Sequence, residues 1–238
     1  MAENAGVNSG SPNNFWYSFE TPLVHWIAFT AETWTMSAAQ IAEQAAWIAA
    51  DVAKVDRTVT PWVAAFSHKA WQMDSTTWSL FDWMTPAGVD VHFVGHWHQY
   101  TRYPPIDSRN NRVVSDFACM SADNSTYTNP KYPTLIVTGA PGDIEVNPDH
   151  CVEPYQLAGK CSGNYGVSAR APHAPVPALP RSLPLPGADP HTNAPPQYGY
   201  FKVWNASVAT WFWNTTVPVK GSNNPSFSDS LTIIKTAV

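Results

Sequence analysis

The sequence predicts an α/β fold, and three observations carry the prediction. Ser37 followed three residues later by Gln40 is a capping-box pattern that opens one amphipathic helix. A strand, a short helix and a second strand follow in order between residues 62 and 94, which implies parallel pairing through a right-handed crossover. From residue 112 onward, short β-rich segments replace helices. At 238 residues the chain is long enough for one domain with a substantial core. We divide it into a βαβ part, 1–110, and a mostly β carboxyl-terminal part, 111–238.

In chain order, residues 15–20 and 23–30 read as a β-hairpin with Glu20-Thr21-Pro22 as its turn. The helix after Ser37 carries Ile41, Ala45, Ile48 and Val52 at helical spacing, a buried stripe that leaves Glu43, Gln44 and Asp51 facing water. A strand at 62–67 leads to His68, a second short helix covers 77–86, and an apolar strand at 89–94 leads to Gly95 and His96. Further strands are expected at 112–118, 134–139, 199–205 and 208–214. Between them, residues 171–196 are so rich in Pro that helix and central strand are forbidden, and a solvated surface loop is expected.

Composition narrows the function classes. The chain is 44% hydrophobic but only 13% charged, with 12 Trp and 22 Pro, a balance that argues against disorder over most of its length. A formal net charge of −5 gives no electrostatic case for nucleic acid or an anionic membrane as partner. No run of about 18 apolar residues is present to span a bilayer. The opening MAENAGVNSG lacks the basic start and apolar core of a secretory signal. Three acceptor patterns for N-glycosylation, at Asn124, Asn205 and Asn214, nevertheless point outward. Cys151 and Cys161 flank a polar loop that a disulfide could close, with Cys119 left over, although three reduced thiols fit the same spacing.

The chemistry concentrates in VDVHFVGHWHQYTRY, residues 89–103. Neutral imidazole is the commonest protein ligand for zinc, iron and related metals, and the end of a buried strand is where open α/β sheets place ligands. His96 and His98 beside Gly95, which can turn the backbone sharply, therefore suggest a metal site. Two surface histidines in a loop are the alternative. His92 lies inside the strand and reads as packing.

GHWHQYTR resembles the GHxHxYER signature of the purple acid phosphatases, members of the calcineurin-like metallophosphoesterase superfamily. PWVAAFSHKAWQ, residues 61–72, resembles the preceding motif of that family, an apolar strand ending in a histidine, here His68. FWYSFE and VHWIAFTAET resemble the paired strands before the central helix, and 133–143, 198–207 and 227–235 resemble the closing strands. The resemblance is collinear and covers most of the chain.

It implies an α/β sandwich of two mixed sheets flanked by helices, of which the chain holds about the second half, as a single partial domain. It also implies hydrolysis of phosphate monoesters by a dinuclear centre of Fe(III) with Zn, Mn or Fe(II). By position, His68 and His96 are expected to bind the divalent ion and His98 the ferric one, with Tyr100 and Arg102 supporting the ligands from behind. The family's other ligands come from GDxG, GDxxY and GNH motifs, which this sequence does not contain. Thr77 and Trp78 stand where the family often has substrate-binding histidines, and Thr101 stands where the signature has Glu, which removes a charge near Arg102. The resemblance further implies a secreted or vacuolar/lysosomal parent, often a homodimer. Two other readings fit the same residues: a catalytically inactive truncated paralogue serving as a secreted binding or structural module, and a metallophosphodiesterase.

Overall fold

The computed structural model describes residues 5–70, 78–139, 161–163, 197–215 and 228–236. After a single helical turn, α1 (Ala5–Asn8), the chain forms the hairpin β1 (Tyr17–Thr21) and β2 (Val24–Ala28), then α2 (Ala38–Val52). Next come β3 (Trp62–Ser67), β4 (Val91–Val94), β5 (Gln99–Asp107) and β6 (Val114–Ser115). The remaining strands are β7 (Thr126–Thr128), β8 (Thr134–Thr138), β9 (Cys161–Gly163), β10 (Gln197–Val203), β11 (Val208–Thr215) and β12 (Ser228–Ile234).

Among the described residues these strands make two mixed sheets. The larger runs β1-β2-β3-β4-β8-β5-β6, with β9 also on β5, and the smaller runs β10-β11-β12-β7. Strands β2, β3, β4 and β8 are parallel neighbours, the β3–β4 pairing as the strand, helix, strand order predicted, while β5 runs antiparallel to β8. One core fills the space between the sheets, with Trp62, Val91, Tyr100, Trp211, Trp213 and Leu231 among its members. A second core lies on the other face of the large sheet, where Ile27, Val63, Leu135 and Val137 meet Ile48 of α2. The architecture is thus the expected α/β sandwich with a flanking helix.

The helix shows both how well and how poorly periodicity reads. Ser37 and Gln40 form the predicted capping box, with the Ser37 side chain accepting from the Gln40 backbone. The buried stripe, however, is Gln44, Ile48 and Asp51, whereas Ala45 is exposed. Gln44 and Asp51 were expected in water; each is instead buried because it answers a polar group on the hairpin. Gln44 accepts from the Thr30 N–H (2.9 Å) and donates to its carbonyl (3.0 Å). Asp51 accepts from the Ser18 hydroxyl (2.8 Å) and pairs with His25 Nε2 (2.9 Å). Satisfied in this way, a polar side chain can be buried without the penalty of an unpaired group.

Other expectations need correction. The β1–β2 turn is Pro22-Leu23, with Thr21 opposite Val24 and Leu23 at φ 71°, the backbone that the third position of a type II turn demands. The helix expected over 77–86 is a single 3-10 turn, Trp78–Phe81, within the described part of that segment, followed by turns. The strand expected at 112–118 shrinks to Val114–Ser115, followed by a 3-10 turn at Phe117–Cys119. Cys151, Thr77 and the Pro-rich segment lie outside the described residues.

A polar latch ties the end of β12 to the start of β3 and β4. Lys235 donates to the Pro61 carbonyl (2.6 Å), pairs with Asp90 (3.1 Å) and lies 4.0 Å from the centre of the Trp62 ring.

Candidate metal centre

The parallel pairing of β3 with β4 decides the geometry of the site. Ser67 is opposite Val94, so the residues that follow both strands leave the same end of the sheet as neighbours. The Gly95 N–H then donates to the His68 carbonyl (3.0 Å), and two tight turns, Trp97 to Gly95 and Gln99 to Trp97, reverse the chain into β5. Gly95 was expected to provide the sharp backbone turn, but the left-handed residue is His96, at φ 59°. Such a backbone is uncommon for a residue with a Cβ and marks a site where the surrounding structure dictates the conformation.

The consequence is a pair of imidazoles. His96 Nδ1 lies 3.2 Å from His68 Nε2, with the rings 5.0 Å apart and steeply inclined. Two ring nitrogens facing each other at this distance suit a shared cation or a shared proton. Burial, then the nearby positive charge of Lys69, holds His96 below its ordinary pKa, which favours the neutral form that binds metals.

A carboxylate that sequence reading overlooked completes the neighbourhood. Glu32, on the loop after β2, lies 3.0 Å from Lys69 Nζ through Oε2, while Oε1 points toward His68 Nε2 at 4.0 Å. That second oxygen is buried and has no hydrogen-bond partner. Burial pushes the Glu32 carboxyl up, but the hydrogen bonds from Lys69 and Trp34 outweigh it and hold the group below the usual carboxylate range. Nothing in the local sequence pattern around Glu32 marks it; only the return of β2 beside β3 brings it to His68.

His98 sits half-buried at the end of the same turn and contributes to the electrostatics of His96. Among the described residues, no three or more His, Cys, Asp or Glu side chains are grouped to hold a metal ion. The donors thus fit a cation shared by two imidazoles, and they do not by themselves fit a dinuclear centre.

Tyr100 and Arg102 alternate with Thr101 along β5 and point into the core between the sheets, away from the histidines. Both are fully buried. Arg102 grips Asp229 of β12 through Nε (2.7 Å) and Nη2 (3.1 Å), and its Nη1 reaches the Tyr127 hydroxyl and the Asn124 carbonyl. The Tyr100 hydroxyl donates to the same carboxylate (2.6 Å), and its ring stacks on Trp213 at 4.6 Å. Thr101, expected to remove a charge beside Arg102, faces the opposite side of the strand, where Gln99 donates to it. The carboxylate that balances Arg102 is Asp229, 127 residues away.

His92 is buried, as expected of a packing residue, and burial pushes its pKa down to about 3. It touches the Ser67 hydroxyl (2.9 Å), which in turn donates to the Lys69 carbonyl (2.7 Å), so the strand beneath the site supports the loop that carries His68. Gly139 supports the other loop: its added Cβ would lie 2.2 Å from the Trp97 carbonyl oxygen.

No family model matches the chain. Its sequence is 32% identical over 154 residues to acid phosphatase A of Cryphonectria parasitica, covering 55% of this chain and 28% of that protein. It is 32% identical over 170 residues to purple acid phosphatase 23 of Arabidopsis thaliana, covering 67% of this chain and 32% of the relative. The fold is similar to that of a purple acid phosphatase from yellow lupin (Lupinus luteus) seeds, with a TM-score of 0.53, 18% identity and coverage of 94% of this chain and 34% of that one. The chain thus spans about a third of the length of each. On sequence and on fold together, it is a relative of the purple acid phosphatases, sharing part of their metallophosphoesterase-type sandwich.

Proposed function

We propose that the chain carries the histidine part of the metal centre of an acid phosphatase that hydrolyses phosphate monoesters. The observation that carries this reading is the convergence of His68 and His96 from the carboxyl ends of adjacent parallel strands, nitrogen to nitrogen at 3.2 Å. In this reading His68 and His96 hold a divalent ion, Zn, Mn or Fe(II), and His98 holds Fe(III). The donors that the family takes from its GDxG, GDxxY and GNH motifs have no counterpart in this sequence. A dinuclear centre, when bound, supplies charge neutralisation at the phosphoryl oxygens and activation of water. The residues of this chain position the donors: Lys69 and Glu32 frame His68, and the Arg102–Asp229 pair fixes the strand that leaves His98. Tyr100 and Arg102 act through that strand, since neither faces the histidines.

The same reading places the protein in a secretory, vacuolar or lysosomal setting, with Asn124, Asn205 and Asn214 as glycan acceptors and Cys151 with Cys161 as a disulfide. No helix among the described residues is long and apolar enough to cross a membrane.

The test is metal content per chain, by elemental analysis of the 238-residue protein after dialysis against trace Fe, Zn and Mn, beside His96→Ala. One metal per wild-type chain, lost in the variant, supports the reading. Two metals per chain together with phosphatase turnover would show the centre to be complete here, and unchanged binding in His96→Ala would refute the assignment. A second reading, a non-catalytic module of the same fold, is favoured by the lack of a three-donor group among the described residues. It predicts no metal retention in either protein. Hydrolysis of diesters in preference to monoesters would instead mark a phosphodiesterase.

A further inference from the structure

The outer face of the small sheet carries an aromatic patch that the metal centre does not use. Successive residues of a strand point to opposite faces, so Tyr198, Tyr200 and Lys202 of β10 share the outward side with Thr210, Phe212 and Asn214 of β11. Their inward neighbours are Phe201, Trp211 and Trp213, which pack against the other sheet. Tyr198 is 45% exposed and Tyr200 49% exposed, and Tyr200 stacks on Phe212 at 4.7 Å. Two large aromatic side chains left in water on a flat sheet call for an explanation.

The strand register supplies one. Tyr198 lies directly opposite Asn214, and Tyr200 lies opposite Phe212. Asn214 is exposed and opens the acceptor sequence Asn214-Thr215-Thr216, with Phe212 two residues before it on the same face. Directly opposed side chains on one sheet face have Cβ atoms about 4.5–5.5 Å apart, so a sugar attached to Asn214 begins its course beside the Tyr198 ring. The apolar C–H face of a pyranose and the face of a phenol ring are complementary, and aromatic contacts of this kind add to simple area burial.

The other two acceptors lack such a seat. Asn205 lies in the β10–β11 turn, where its Oδ1 accepts from the Ser207 and Val208 N–H groups, and the adjacent Trp204 ring, although 53% exposed, has one face taken by Lys202, 3.4 Å from its centre. Asn124 occupies a left-handed turn whose neighbours, Asp123 and Ser125, are polar and bonded to each other.

We propose that Asn214 is N-glycosylated and that the first N-acetylglucosamine of its glycan rests on Tyr198 and Phe212. The inference rests on the secretory setting of the proposed function and is independent of its chemistry. The experiment is secretion of the full chain from a eukaryotic host behind a cleavable leader. Glycopeptide mass spectrometry then follows, with timed release of each glycan by peptide N-glycosidase from the native protein. Occupancy at Asn214 is expected, with release roughly fivefold slower than at Asn124, a difference erased by Tyr198→Ser and kept by Tyr198→Trp. Because Tyr198 is exposed, these variants fold; Phe212→Thr provides a second removal of the platform. Bare Asn214 beside modified Asn124 or Asn205, or equal release rates in wild type, would overturn the inference alone. Three bare sequons on a secreted chain would overturn the secretory reading with it.

Discussion

Removing the carboxylate of Asp229 should be the most damaging single change in the described core. The Asp229 side chain has no exposure, nor has that of Arg102, and the two share two hydrogen bonds while the Tyr100 hydroxyl supplies a third. In Asp229→Ala the guanidinium stays where it is, buried and without its counter-charge. Loss of one partner of a buried ion pair costs about 3–5 kcal/mol, and no discount for solvent screening applies to a pair with zero exposure. At roughly 2–4 °C per kcal/mol for a chain of this size, the melting temperature should fall by about 6–20 °C. Arg102→Met/Asp229→Leu removes both charges at once and should cost less than Asp229→Ala alone. The remaining loss, about 1 kcal/mol for each hydrogen bond forfeited, comes from Tyr100, Tyr127 and Asn124. Urea unfolding followed by tryptophan fluorescence measures these proteins, with Arg102→Met and Asp229→Leu as the single variants that close the double-mutant cycle. Strictly additive single losses, or an Asp229→Ala loss under about 1 kcal/mol, would refute the reasoning.

Three further outcomes follow from the same structure. Gly139→Ala should drive its methyl group into the Trp97 carbonyl, 2.2 Å away on a backbone atom that cannot swing aside, and displace the turn between His96 and His98. Metal retention should fall at least tenfold while far-ultraviolet circular dichroism is preserved; unchanged retention would show that the turn tolerates the shift. His25 should make stability pH-dependent. Burial opposes its charge, but the hydrogen bond and charge of Asp51, then of Glu20, outweigh burial and raise its pKa above 6.5. A raised folded-state pKa gives stabilisation that is complete below about 6.5 and is lost as pH rises through the folded value. Asp51→Asn should therefore lose most stability in acid and little in alkali, and an equal loss at both ends would exclude this origin. Cys119, whose thiol burial and the neighbouring Asp116 push up to about 12, should react with iodoacetamide at pH 8 far more slowly than a free thiol. Labelling at the unhindered rate would contradict the half-buried placement.

What was legible in the sequence was whatever local pattern encodes. The capping box at Ser37 and Gln40, the parallel order of β3 and β4, and the meeting of His68 with His96 all followed from spacing and strand order. Strand β5 was missed because Pro104 and Pro105 argue against a ladder; the structure accommodates them with a shift in register between Arg102 and Pro105. Gln44 and Asp51 were placed on the wrong side of α2 because hydropathy cannot tell a solvated carboxylate from one that meets a histidine on another element. Glu32 and Asp229 were invisible for a related reason. Their partners lie on strands that only sheet topology brings near, so no spacing along the chain could disclose them.

The serine beneath the candidate site fixes more than a position. A hydroxyl has one proton, and Ser67 gives it to the Lys69 carbonyl, which can only accept. The contact between Ser67 and His92 must then run the other way, with Nε2–H of the imidazole as donor. One tautomer of His92 is thereby selected, and the donor order from imidazole to hydroxyl to carbonyl is one-directional. Since burial holds His92 neutral down to a pKa of about 3, that order does not reverse at any pH above that value. The loop bearing His68 is therefore fastened by a bond whose polarity acid leaves unchanged, while the His25 contact across the sheet strengthens as protons are added.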